Sequence, residues 1–233
     1  MRGLTVAVTG AGRGFGKAVA GHLTEAGATV LALGRDELDL TRPATVDRAL
    51  SGRIDVLVNN AAVPGPAGPA WEVGEADWWE TMEVNLRGTV LACRAVLPGM
   101  LARGSGRVIN IVSSAGRDRW PYASAYSVSK SAVTKYTENL AEELRNRGVS
   151  AFAYHPGLLD TGMTADRLAM PSDDPWHNQI RIWLRLQRNA GRFTPLHRAL
   201  DNLLLLANGT ADALTGGYLT ADDDIDVLVK EKS

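Results

Sequence analysis

The sequence predicts an α/β protein, a single domain spanning residues 1–233 and built as one doubly wound parallel sheet in three αβα layers, on three observations. Apolar, β-rich runs recur along the chain, each followed by a longer segment with helical features or a helix-bounded loop. Within each run apolarity is nearly continuous, as it must be for strands covered on both faces, where clean alternation with polar residues is impossible. No composition break, internal repeat or low-complexity linker divides the chain, and α/β folds carry 233 residues as one unit.

The first strand is LTVAVTG, and Thr9-Gly10-Ala11-Gly12-Arg13-Gly14-Phe15-Gly16 follows it directly, opening a helical segment that reaches about Ala26, with Gly27 as its stop. Glycines there let the backbone turn tightly and approach a pyrophosphate, whose charge is stabilised by free N–H groups and the positive end of the helix. This is a Rossmann-like, dinucleotide-binding arrangement, and a glycine turn that serves packing alone is its competitor. The second strand is ATVLALG. A carboxylate at its end would hold the adenosine ribose hydroxyls and repel a 2′-phosphate, but Gly34 stands there and Arg35 follows. Arg35 can make charge-assisted bonds to a 2′-phosphate, and Arg13 supplies a second positive charge on the same side, which favours NADP(H) over NAD(H). Asp36 keeps the NAD(H) reading open, because a shifted backbone would aim its carboxylate at the ribose.

IDVLVNN is the next strand, and the prolines of Pro64-Gly65-Pro66-Ala67-Gly68-Pro69 make the connection after it a stiff surface loop. Trp78 and Trp79 lie in the helical approach to Asn85 and read as packing residues. Cys93, alone in the sequence, falls in the apolar helical run VLACRAVL, where burial is the expected fate and no internal disulfide is available. GRVINIV then ends at Ser113, at the carboxyl end of a strand, where ligands of parallel sheets collect. The Ser113 hydroxyl can polarise a substrate carbonyl; Ser114 is the adjacent competitor, and a turn or cap is the alternative for either.

Tyr126-Ser127-Val128-Ser129-Lys130 opens a helix running through Glu143 to about Arg147, and four-residue spacing puts the Tyr126 phenol and the Lys130 ammonium on one face. A phenol near its usual pKa of about 10 is a poor acid–base catalyst at neutral pH, and a neighbouring cation favours its ionised form. VSAFAYH is the following strand. Leu158–Arg192 is an insertion rich in Trp, Met and Pro that would overhang the strand ends where α/β sheets bind ligands, and a late helix begins near Thr194-Pro195. Asp222-Asp223-Asp224 through Ser233 reads as a solvated terminus.

Taken together these motifs resemble the short-chain dehydrogenase/reductase family, of the NADP-preferring kind, from Thr9 to about Asp222. Thr9-Gly10-x-x-x-Gly14-x-Gly16 is similar to the family's cofactor loop, and Asn59-Asn60-Ala61-Ala62 resembles its Asn-Asn-Ala-Gly signature, with Ala62 replacing glycine. Asn85, Ser113, Tyr126 and Lys130 match the catalytic tetrad, and the separation of Ser113 from Tyr126 selects Ser113 over Ser114. Asp39-Leu40 resembles the pair that contacts adenine, and Pro156-Gly157 with Leu159 and Thr161 resembles the segment closing on the nicotinamide end. The resemblance implies a ketoreductase mechanism: NADPH gives hydride to a carbonyl, Tyr126 donates the proton and Ser113 holds the oxygen. Lys130 would bind the nicotinamide ribose and lower the Tyr126 pKa, and Asn85 would help hold a water that resupplies protons. NAD-dependent alcohol oxidation and a non-catalytic dinucleotide-binding sensor are the alternatives. Between Arg35 and Asp39 the chain is shorter than in typical members, so a helix is missing and the third strand must be brief. A homodimer or homotetramer through the helices carrying Asn85 and Tyr126 is also implied.

For the substrate, Trp176 and Trp183 in the insertion, with Trp120 and Tyr122 upstream of Tyr126, are candidates to enclose a small-to-medium apolar or aromatic carbonyl compound, alongside Ser113 and Tyr126. Net charge is −1 with no basic stripe, which argues against nucleic acid as a partner. His22, His177 and His197 lack metal-ligand spacing, and His155 reads as filling a structural slot, so no metal is expected. No apolar stretch approaches the ~20 residues that span a bilayer, and no leader precedes the first strand, which places the expected site of action in the cytoplasm, away from membranes.

Overall fold

The computed structural model describes residues 1–171 and 173–232; Ser172, within the expected insertion, and Ser233 lie outside the described residues. Six strands are found among the described residues: β1 Thr5–Thr9, β2 Thr29–Leu33, β3 Val56–Asn59, β4 Gly106–Ile111, β5 Val149–His155 and β6 Tyr218–Thr220. All are parallel, in the order β2-β1-β3-β4-β5-β6. The strand order reverses between β1 and β3, and a ligand crevice therefore opens beyond their carboxyl ends.

The two faces of the sheet carry separate apolar layers, as the period-two pleat requires. Val6, Val8, Val56, Val58, Phe152 and Tyr154 point to one side. There they meet Val19 and Leu23 of α1 (Gly14–Glu25) and Leu203 and Leu206 of α8 (Leu196–Asn208). Ala7, Leu57, Val108 and Ala151 point to the other side. Their partners are Val46 of α2 (Pro43–Ala49), Cys93 and Val96 of α4 (Gly88–Arg103) and Leu140 of α5 (Ser124–Glu143). These are the three predicted layers. Cys93 is fully buried, and burial pushes its thiol pKa up to about 12.

The expected brief third strand does not form. A parallel neighbour for β2 needs a crossover of roughly a dozen residues or more, whereas only a turn at residues 35–37 separates Leu33 from Leu38. Leu38 and Leu40 instead drop into the apolar layer, Leu40 against Gly88, where an added Cβ would stand 2.8 Å from that of Leu40. β2 is left as the sheet edge.

Two helices fill the insertion, α6 (Gly162–Ala169) and α7 (Pro175–Asn189). Asp174 starts α7: its Oδ1 accepts from the N–H groups of Trp176 and His177 at 2.7 and 3.3 Å, and Pro175 sits at the first helical position, where its missing N–H costs nothing. The C-terminal segment corrects another expectation. It is not a solvated tail: Asp223 accepts from Thr220 N–H at 2.6 Å, Asp224 accepts from Val227 N–H at 3.1 Å, and α9 (Ile225–Lys232) follows, with Ile225 only 1% exposed in the core. α3 (Glu75–Met82) continues through a π-helical turn at Glu83–Arg87 into α4.

Candidate active site

A cavity of about 780 Å³ follows the carboxyl ends of the strands, from Arg35 and Asp39 at one end, past the glycine loop, to Ser113, Tyr126 and Lys130 at the other. The glycine loop is shaped by contacts that exclude side chains. Gly14 has φ +57°, and an added Cβ would come within 2.8 Å of the Gly162 Cα on α6; at Gly16 the same atom would run into the Asn60 amide and the Gly10 carbonyl. Asn60 Nδ2 donates to the carbonyls of Thr9 and Gly10 at 2.9 and 3.3 Å, and Thr9 Oγ1 accepts from the N–H groups of Asn60 and Ala61 at 3.0 and 3.1 Å. Thr9 thus ties β1 to the loop after β3, behind the cavity wall. Arg13 sits at the start of α1 with no side-chain cap, so the first N–H groups of the helix face the crevice. An uncapped, cationic helix end beside a cradle that a Cβ would fill suits the pyrophosphate of a dinucleotide.

At the adenosine end, Gly34, Arg35, Leu38, Asp39, Leu40 and Thr41 line the wall. Arg35 is exposed. Arg13 is ion-paired with Asp166 of α6 rather than free. Sequence reasoning overlooked Glu37, whose carboxylate accepts from Gly34 N–H at 2.9 Å at the end of β2. The Asp39 carboxyl is held below its usual pKa by hydrogen bonds from Thr41, with Arg42 and Arg35 adding to the effect. Asn59 does not face the crevice: it is buried on the α4 side of the pleat, its Nδ2 donating to Asn110 Oδ1 at 2.9 Å and to Cys93 Sγ at 3.3 Å. Its neighbours Asn60 and Ala61 take the crevice side.

At the far end Ser113, Tyr126 and Lys130 converge, while Asn85 does not line the cavity. Ser113 follows β4, and its Oγ accepts from Ala115 N–H at 3.2 Å, a short cap that fixes the hydroxyl beside Tyr126. Lys130 lies one helical turn after Tyr126 on α5, 3% exposed, with Nζ donating to the Ile111 carbonyl at 2.8 Å and standing 5.8 Å from the centre of the phenol ring. Burial lowers the ammonium pKa to about 8. Burial raises that of Tyr126; the Ser113 hydroxyl and the Arg167 guanidinium pull in the other direction. Arg167, which sequence reasoning passed over because no motif spacing marks it, is a further cation acting on this phenol. Asn85, in the π-helical turn, uses its side chain structurally: Oδ1 accepts from Val63 N–H at 2.8 Å, and Nδ2 donates to the Val63 carbonyl and to Ser129 Oγ, both at 3.0 Å. It locks the loop after β3 onto α5.

Pro156, Gly157, Leu159 and Thr161 line the cavity after β5, with His155 beside them. α6 and α7 form its roof. Trp183 lines it and packs edge-on against Trp120, ring centres 5.1 Å apart. Trp176 does not line it; it stacks on Tyr122 at 4.4 Å and packs toward Ala67, Ile180 and Leu184. Among the described residues no cluster of three or more His, Cys, Asp or Glu side chains is placed to hold a metal ion, and no helix is long and apolar enough to cross a membrane.

Comparison with known proteins gives the arrangement a family. The short chain dehydrogenase family model matches residues 43–172, a span holding all four tetrad positions and starting after the glycine loop. A short chain dehydrogenase of Monascus purpureus is 32% identical, the match covering 99% of this chain and 84% of that protein. A gluconate 5-dehydrogenase of Burkholderia cenocepacia, solved in complex with NADP and tartrate, superposes with a TM-score of 0.81 at 29% identity, covering 94% of each chain. A single-substitution variant of actinorhodin polyketide ketoreductase with NADPH also reaches 0.81, at 26% identity, covering 96% of this chain and 97% of that one.

Proposed function

The chain belongs to the short-chain dehydrogenase family and is an oxidoreductase that uses a nicotinamide dinucleotide on an alcohol or carbonyl group of a small molecule, and from that premise we propose that it is an NADPH-dependent reductase of ketones or other carbonyls on small-to-medium apolar or aromatic substrates. One observation carries this reading: the half-buried Tyr126 phenol lines the crevice together with Ser113 and Lys130, where desolvation raises its pKa and so favours its protonated form. A reducing enzyme needs a proton donor at that point; an oxidising one needs a base.

In this reading Gly12, Arg13, Gly14, Phe15 and Gly16 hold the pyrophosphate, Arg35 the 2′-phosphate, Asp39, Leu40 and Ala61 the adenosine half, and Pro156, Gly157, Leu159 and Thr161 the nicotinamide end. When bound, the reduced cofactor supplies the hydride. Ser113 donates a hydrogen bond to the substrate oxygen as charge develops on it, and Tyr126 delivers the proton to that oxygen. Lys130 binds the nicotinamide ribose and favours the phenolate left behind, while Asn85 keeps the π-helical turn and α5 in register and helps hold a water that returns the proton. Trp120 and Trp183 exclude bulk water from the reacting centre. A homodimer or homotetramer in the cytoplasm completes the proposal.

The Glu37 carboxylate at the end of β2 favours a second reading, NAD-dependent alcohol oxidation, since it would repel a 2′-phosphate. Following absorbance at 340 nm with NADPH and with NADH against a panel of aliphatic and aryl ketones tests both. Consumption of NADPH in preference to NADH is expected; faster turnover of alcohols with NAD⁺ would favour the second reading, and cofactor binding with no turnover of any compound would point to a sensor.

A further inference from the structure

Several arginines of this fold spend their charge on carboxylates. Arg107 grips Asp212 through two bonds of 2.8 and 2.6 Å, Arg53 pairs with Asp55 at 3.0 Å, and Arg188 pairs with Asp160 at 2.5 Å. Arg167 is different. It lines the reaction end of the cavity from α6, half-buried, with no hydrogen-bond or ion-pair partner among the described residues. Only two carboxylates line the same cavity among those residues. Asp39 is engaged with Thr41 and Arg42 at the adenosine end, and Glu80 is exposed on α3 without reaching Arg167.

Its position is fixed by the glycine loop against which its helix packs. α6 is held by the close approach of Gly162 to Gly14 and by the ion pair of Asp166 with Arg13, so the next residue, Arg167, is delivered toward Tyr126 by a braced helix. Met163 and Thr164, one turn earlier on α6, line the cavity with it. A half-desolvated guanidinium held in a cavity without a counterion is costly until an anion arrives, and its planar fork suits a carboxylate. The pyrophosphate of a dinucleotide has its own seat at the uncapped start of α1, and Arg167 lines the cavity close enough to Tyr126 to favour its phenolate form.

We propose that the substrate is an oxo acid with an apolar or aromatic body: its carbonyl meets Tyr126 and Ser113, its carboxylate is received by Arg167, and its body lies against the Trp120–Trp183 pair. This rests on the reductase reading above and narrows its substrate class.

The test compares benzoylformate, benzoylacetate and 3-benzoylpropionate with their methyl esters, as the ratio of kcat/KM for acid over ester. At least one acid is expected to exceed its ester by tenfold or more in the native enzyme. Arg167→Gln should lower that ratio on the order of 10- to 100-fold, the loss expected for a charge-assisted bond, and Arg167→Lys should restore part of it. A second readout needs no turnover: 3-phenylpropionate, which lacks a carbonyl, should quench tryptophan fluorescence of the NADP⁺-loaded protein, and Arg167→Gln should weaken that binding by a similar factor. Esters preferred equally, or an Arg167→Gln variant in which NADPH affinity falls while the acid-to-ester ratio and phenylpropionate binding stay unchanged, would overturn the proposal. Arg167-dependent phenylpropionate binding with no reduction of any ketone would retain the anion site and sink the reductase reading instead.

Discussion

In the proposed reading single side chains set the cofactor preference and the pH response. Arg35 is an exposed cation at the adenosine end of the crevice, while Arg13, its expected helper, is already paired with Asp166. Removing one charge-assisted phosphate contact costs roughly 1.5–3 kcal/mol. Arg35→Ala should therefore weaken NADPH binding on the order of 10- to 100-fold and leave NADH nearly untouched, as read by isothermal titration; equal losses for both would deny Arg35 a role at the 2′-phosphate. Lys130 makes a different prediction. Burial lowers its pKa from 10.5 to about 8, so between those values the native state binds fewer protons than the unfolded chain, and stability conferred at this site rises with pH. Below about pH 8 the fold must carry the buried charge. Urea titrations from pH 7 to 10.5 should show the native protein gaining stability relative to Lys130→Met across that window, whereas parallel curves would mean that the ammonium is not desolvated. That Ser113, Tyr126, Lys130 and the glycine loop share one cavity was legible in the sequence, because each sits at a fixed spacing along a strand end or a helix face. Arg167 was not, since a cation that meets its site through tertiary packing leaves no local pattern. Asn59 and Asn60 show the same limit: the motif marks both, but only the pleat decides which of them faces the crevice.

Among the elements, alternation of apolar runs with helical segments was enough to place five strands and the helices that cover them, because a sheet buried on both faces admits no other pattern. What failed was counting at the two margins of the sheet. After β2 the chain has too few residues for a crossover, and Leu38 and Leu40 are used as core side chains without a strand around them. At the C-terminus an acidic run was read as a solvated terminus when its members act singly, Asp223 closing the turn after β6, Asp224 starting α9 and Asp222 pairing with Arg198 at 3.1 Å. Caps and solvated charge share a composition and differ only in geometry. α9 is thus part of the fold. Ile225→Ala should cost on the order of 2–5 kcal/mol, the usual range for a buried branched side chain, measurable as a lower urea midpoint with an unchanged slope. A midpoint equal to that of the native protein would show α9 to be dispensable.

At the scale of the whole molecule, the reversal of strand order between β1 and β3 opens a crevice that the glycine loop floors and α6 and α7 roof. The sheet supplies rigidity, α1 a positive end, and α5 a phenol held against a serine hydroxyl. Membership of the short-chain dehydrogenase family accounts for that assembly. The central claim is that the half-buried Tyr126 phenol lining this crevice is the proton donor, and the most direct measurement is Tyr126→Phe assayed for NADPH binding and for ketone reduction in parallel. The account predicts turnover reduced on the order of 10²- to 10⁴-fold with NADPH still bound; turnover retained at the native rate would contradict it.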